Sequence, residues 1–127
     1  MTRCHCKAVI RSHHFSAILP ITEAIAHSTT DDLLALLKDC VLAADLTAVA
    51  EATATFSPQG VSAVLLLEES HVALHLWFEC RQATVDIHVC DYHQDNRLKA
   101  ETLAEQLAIA LSGSRDRVHW HSLEVMG

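Results

Sequence analysis

Glycine and proline are scarce, three and two residues in a chain of 127, and aromatic residues make up only 5%. Collagen-like and low-complexity chains need far more glycine and proline, so neither class fits. Basic residues are also few: nine Lys and Arg against sixteen Asp and Glu leave a formal net charge of −7, with no Lys/Arg run anywhere. Phosphate backbones are held by neutralising many charges with cationic side chains, so nucleic acid is not an expected partner, and neither is an anionic membrane. No apolar stretch approaches the ~20 residues that span a bilayer. The opening Met1-Thr-Arg-Cys-His-Cys-Lys lacks the apolar core of a secretory signal, so the expected location is the cytoplasm.

Half the residues are apolar, which is the composition of one packed domain. Five cysteines, Cys4, Cys6, Cys40, Cys80 and Cys90, are unevenly spread. In a reducing compartment such residues are thiols, ligands or catalytic groups more often than cross-links. Residues 1–15 show no clear period and read as a loosely ordered extension, with the domain proper spanning 16–127. A short apolar run from Ser16 to Ile21 contains Pro20, which removes a ladder donor and points to an edge strand.

Thr29-Thr30-Asp31-Asp32 supplies capping oxygens and negative charge, and Leu33, Leu36, Leu37, Cys40, Val41 and Ala44 follow at helical steps. A second helix follows Asp95-Asn96, with Ala100, Leu103, Ala104, Leu107 and Leu111 on one face and Gly113 placed to stop it. Between them the period changes to two. Strands are expected over 46–56, 61–68, 71–79 and 83–90, with Ser57-Pro58-Gln59-Gly60 as a turn, and a last strand over 118–125. Short connections imply antiparallel pairing, and two helices cover one face of such a sheet. The expected fold is therefore α+β, a two-layer sandwich with a mainly antiparallel sheet and both helices on one side.

Parity within two of these strands separates core from chemistry. Val72, Leu74, Leu76 and Phe78 fall on one face of the first, and His71, Ala73, His75, Trp77 and Glu79 on the other. Ala83, Val85, Ile87 and Val89 fall on one face of the second, and Thr84, Asp86, His88 and Cys90 on the other. A face carrying His75, Glu79, Asp86, His88 and Cys90 is too polar for a second core. It suits a site, one that a partner subunit would close.

The segments Phe56-Ser-Pro-Gln-Gly60-Val-Ser62, Glu68-Glu69-Ser70-His71, His75-x-Trp77-x-Glu79 and Val85-Asp86-Ile87-His88-Val89-Cys90 together resemble the prokaryotic S-adenosylmethionine decarboxylase proenzymes. The resemblance is good from Phe56 to Cys90. It implies self-cleavage between Glu69 and Ser70, giving chains 1–69 and 70–127 and converting Ser70 into a covalent pyruvoyl group. A serine hydroxyl alone is a weak nucleophile, so it needs a polarised carbonyl and a placed base. The resemblance assigns these helper roles to Ser62, hydrogen bonding during the acyl shift, and His75, removing the proton in the elimination. The mature ketone would form a Schiff base with a substrate amine and act as an electron sink. Cys90 would then protonate the α-carbon, Phe56 would stack on adenine and Glu79 would bind the ribose. The implied product feeds spermidine synthesis, and the implied assembly is a homodimer.

Taken singly, each residue has an ordinary explanation. Ser70 opens a strand, His75 is a half-buried strand histidine, Cys90 is a small apolar side chain, and Phe56 and Trp77 are packing. Cys40, on the apolar face of the first helix, is structural. Cys4-His5-Cys6 with His13-His14, and His119 with His121, lack the Cys-x-x-Cys spacing of a structural zinc site, so no metal is expected. The chain departs from the family pattern at Phe78, where Pro is usual, at Cys80-Arg81-Gln82, where a Gly turn is usual, and at Asp91, where Gly is usual. Asp91 would suit a pyruvoyl enzyme of the same family acting on arginine or ornithine, holding the substrate's cationic end. A third reading is a non-processing partner of an active paralogue.

Overall fold

The structure is a computed structural model and describes residues 9–127. Six strands, β1 (Arg11–Pro20), β2 (Ala48–Thr55), β3 (Val61–Leu67), β4 (Ser70–Trp77), β5 (Gln82–Cys90) and β6 (Trp120–Met126), join two helices, α1 (Thr30–Ala43) and α2 (Arg97–Ser112). The sheet order is β2-β3-β4-β5-β1-β6, with every neighbouring pair antiparallel. Both helices lie on one side, α1 over β2 and β3 and α2 over β1 and β5. This is the expected two-layer α+β sandwich.

Local chemistry explains the elements. The Thr29 side chain accepts a hydrogen bond from the Asp32 amide while the Asp32 carboxylate accepts from the Thr29 amide, so the predicted start of α1 is a reciprocal capping box. Gly113 ends α2 at a φ of 75°, a left-handed conformation that a side chain disfavours. The inward residues of β4 and β5, Val72, Leu74, Leu76, Ala83, Val85, Ile87 and Val89, are all essentially buried and meet Leu33, Leu37, Leu103, Leu107 and Leu111 from the helices. Phe78 packs against this core from the short 3-10 turn Phe78–Cys80 that follows β4.

Two expectations need correction. The first strand begins at Arg11, inside the stretch read as a loose extension, and residues 1–8 lie outside the described residues. Its opening was illegible because the inward residue there is His13, buried but polar. Nor is β1 an edge: it runs between β5 and β6, and Pro20 stands at its last position, opposite Gln82. A proline there removes only a terminal ladder donor. The edges are β2 and β6.

Candidate active site on the uncovered face of the sheet

The helices leave the other face of the sheet open. Parity and register set out its side chains in rows: Ser62, Val64 and Leu66 on β3, His71, Ala73, His75 and Trp77 on β4, Thr84, Asp86, His88 and Cys90 on β5, and Ser12, His14 and Ser16 on β1. Of the predicted strand-borne catalytic residues, Ser62, His75 and Cys90 lie on this face, whereas Ser70, at the first position of β4, pairs with the inward Leu67 and Val89 and meets the others only through its hydroxyl's contact with Cys90. They form two groups at opposite ends of β4.

At the first end, β3 and β4 are joined by the tight turn at Glu68-Glu69. Ser70 follows it with a φ of 144°, a conformation that a residue with a side chain adopts only under strain of roughly 1–3 kcal/mol. Its hydroxyl donates to Cys90 Sγ at 3.2 Å. The Glu69 carbonyl, part of the peptide that Ser70 continues, accepts the Cys90 amide at 2.7 Å. The Glu69 side chain is buried, and its Oε1 accepts the Thr47 amide at 3.2 Å, which fixes the turn. One short segment thus combines a strained residue, a polarised carbonyl and a hydroxyl. These are the requirements of an intramolecular acyl shift.

Cys90 closes this end from β5. Its Sγ also lies 3.6 Å from His88 Nε2, and the His88 ring is flanked by His14 at 4.2 Å and His71 at 5.0 Å between ring centroids. Burial, and then the two neighbouring imidazoles, hold His88 below the usual histidine range. Cys40 is a useful contrast. Burial in the core, with a smaller effect from Asp39, pushes its thiol up to about 11, which suits the structural role expected for it.

At the second end, Ser62 Oγ and His75 Nδ1 are 2.6 Å apart across the β3/β4 pair. Phe56, Gln59, Gly60, Leu76 and Trp77 join them around a largely apolar cavity of about 530 Å³. Phe56 is half exposed, so its ring is available to a ligand. Glu79 is exposed in the turn after β4, at the same end but outside this lining.

His75 lies five steps along the strand from Ser70, and a strand advances ~3.3 Å per residue, so the two ends are about 16 Å apart. A single chain therefore does not bring His75 to Ser70. Asp91 is not an open carboxylate either. It accepts from Arg11 Nε at 2.7 Å and the Asn96 amide at 2.9 Å, and lies 2.8 Å from His13 Nε2. Burial pushes its pKa up, but these partners outweigh that and hold it below the ordinary carboxylate range. Among the described residues, His13, Asp91 and Asp95 have ligand atoms near enough to share an ion, although the Arg11 guanidinium already occupies Asp91.

Sequence reasoning placed His88 on the reactive face but gave it no role, and missed His14 by reading its segment as loose. The only signal was the two-residue spacing of His88 and Cys90 on a strand.

The S-adenosylmethionine decarboxylase family matches residues 22–117. The chain is 43% identical over 58 residues to the S-adenosylmethionine decarboxylase proenzyme of Methanococcus maripaludis strain C5, covering 46% of this chain and 48% of that one. It is 36% identical over 78 residues to the proenzyme of Clostridium botulinum strain Loch Maree, covering 61% and 67%. The chain thus matches about half the length of the first relative. In three dimensions it is similar to the crystal structure of the adenosylmethionine decarboxylase from Aquifex aeolicus VF5, with a TM-score of 0.72, 24% identity, and 92% and 89% of the two chains covered. That likeness concerns the fold.

Proposed function

The chain belongs to the S-adenosylmethionine decarboxylase family, and we propose that it cleaves itself between Glu69 and Ser70 and, so matured, decarboxylates S-adenosylmethionine. The observation that carries this reading is the strained Ser70, next to a Glu69 carbonyl that accepts the Cys90 amide at 2.7 Å. Attack of Ser70 Oγ on the Glu69 carbonyl carbon forms an ester and breaks the peptide C–N bond, freeing the Ser70 amine. The Cys90 N–H stabilises negative charge on the carbonyl oxygen during that step. Loss of the Ser70 α-proton expels the Glu69 carboxylate and leaves dehydroalanine, which is hydrolysed with release of ammonia. Relief of strain at Ser70 favours the forward direction.

These residues fit a pyruvoyl group at position 70, since the strained serine, its hydroxyl and the hydrogen-bonded Glu69 carbonyl that the acyl shift requires lie together there. Such a group supplies a ketone that binds a substrate amine and draws off the electrons released as CO₂ departs. Cys90, 3.2 Å from the Ser70 hydroxyl, is placed to deliver a proton from Sγ to the substrate α-carbon. Phe56 offers a ring to stack on adenine, and Glu79 a carboxylate for the ribose hydroxyls.

His75 and Ser62 enter through a second copy of the chain. The uncovered face carries half-exposed Leu66, Trp77 and Val125 and well-exposed Leu123, an apolar surface that a second sheet would bury. Under two-fold symmetry the Ser62–His75 end of one copy meets the Ser70–Cys90 end of the other, and two complete sites result. His75 of one copy would then remove the Ser70 α-proton of the other.

Intact-mass spectrometry of the denatured protein tests the reading, beside Ser70→Ala. The expected result is two chains, 1–69 and 70–127, with the second lacking a free amine, release of CO₂ from S-adenosylmethionine, and one uncut inactive chain for Ser70→Ala. An uncut wild-type chain overturns the mechanism, and CO₂ release from arginine or ornithine alone overturns the substrate.

A further inference from the structure

His88 contacts Cys90 at the reacting end of β4, yet nothing in the mechanism above uses it. Each decarboxylation consumes one proton, because the carbon that loses CO₂ gains hydrogen. Cys90 therefore surrenders its proton on every cycle and must be recharged before the next. Sγ lies 3.6 Å from His88 Nε2, a contact length suited to a thiol–imidazole hydrogen bond. The ring is itself held between His14 of β1 and His71 of β4, and His14 is fixed by Ser12 Oγ at 2.8 Å from its Nε2.

Resting on the function just proposed, we infer that His88 is a positioning and proton-return residue for Cys90, orienting its thiol and recharging the thiolate after each turnover. In the recharging step Nε2, freed when the thiol gives up its proton, takes a proton from solvent while Nδ1 keeps its own. The Nε2–H bond then breaks as the S–H bond re-forms, so one proton moves from water to sulfur, the ring returns to its neutral form and no electrons are transferred. The other groups facing the ring are His14 and His71 on the neighbouring strands and Cys90 on its own, and Asp86, two residues back on that strand, is hydrogen-bonded to Ser16. No carboxylate among the described residues pairs with His88 to hold it cationic, and burial with its imidazole neighbours keeps it neutral near pH 7. A neutral ring accepts the thiol hydrogen at one nitrogen while donating at the other, which a cationic ring cannot do.

The test uses His88→Ala and His88→Phe in the full chain. Both are expected to self-cleave as the wild type does by intact mass, because His88 touches neither Ser70 nor Glu69 in the acyl shift. Turnover of S-adenosylmethionine is expected to fall about tenfold or more in kcat with KM within about twofold. Added imidazole should restore much of the kcat of His88→Ala and little of that of His88→Phe, whose ring fills the space. Carbamidomethylation of Cys90 by iodoacetamide at pH 7, followed by peptide mass, should be severalfold slower in both variants, and is read also in the uncleaved Ser70→Ala background. That arm separates failure of self-cleavage from failure of the His88 contact. Unchanged kcat, or a loss that imidazole does not rescue with Cys90 labelling unaltered, overturns the inference.

Discussion

The two ends of β4 are built for different work. At the Ser70 end everything is tight: a strained residue, a buried Glu69 side chain, a carbonyl held at 2.7 Å and a thiol within reach of the hydroxyl. At the His75 end the Ser62–His75 pair lies beside a roomy apolar cavity with a half-exposed Phe56 at its edge. The first arrangement suits bond rearrangement within the chain, which rewards fixed geometry. The second suits a guest, which rewards open apolar surface. Separated by about 16 Å of strand, each end lacks what the other holds. The difference teaches that residues adjacent in a motif can belong to different sites, because spacing along a strand is also distance.

That comparison can be sharpened by changing one end at a time. The largest effect short of abolishing cleavage is expected at Cys90: Cys90→Ala should still yield both chains by intact mass, since its backbone amide remains, while turnover drops about 10²–10⁴-fold. A block in cleavage instead would mean that the thiol serves the Ser70 end during processing as well. A smaller effect is expected at the other end, where Phe56→Ala should raise KM for S-adenosylmethionine up to about tenfold through lost ring stacking and leave cleavage unaltered. A large fall in kcat with KM unmoved would place Phe56 in the chemistry and blur the division.

The smallest effect concerns the tie behind the Ser70 end. Asp91 has its folded pKa depressed by the Asn96 amide, Arg11 and His13 against the opposing effect of burial. A depressed carboxylate contributes stability above its unfolded pKa, near the ordinary value of 3.8, and that contribution is lost as pH falls through the lower folded value. Thermal unfolding of Asp91→Asn should therefore show a modest deficit at pH 7 that shrinks below about pH 4. A deficit that persists unchanged into acid would show that charge at Asp91 is not its source.

Much of this was legible in the sequence. Helical steps from Leu33 to Ala44, the capping Thr29 and the terminating Gly113 led to α1 and α2, and period two in β4 and β5 separated the buried face from the reactive one. The opening of β1 was not, since its inward His13 breaks the apolar alternation that marks a strand, and Pro20 pointed to an edge although it stands at a strand end. Within the site, Ser62, Ser70, His75 and Cys90 were readable one by one. Their division into two groups was not, because a motif gives order along the chain and not which residues the sheet brings together. His88 was visible beside Cys90, but its contact depends on β1 and β4 lying on either side of it.

The central claim is that one chain carries two half-sites, and mixing two inactive variants tests it most directly. Ser70→Ala and His75→Ala chains, each inert alone, should regain cleavage of the His75→Ala chain and S-adenosylmethionine turnover when co-expressed, to about a quarter of the wild-type level if pairing is random and one site in each mixed dimer is intact. Mixed dimers that form and yet show neither cleavage nor turnover would contradict it, and would require Ser70 and His75 to act within a single chain.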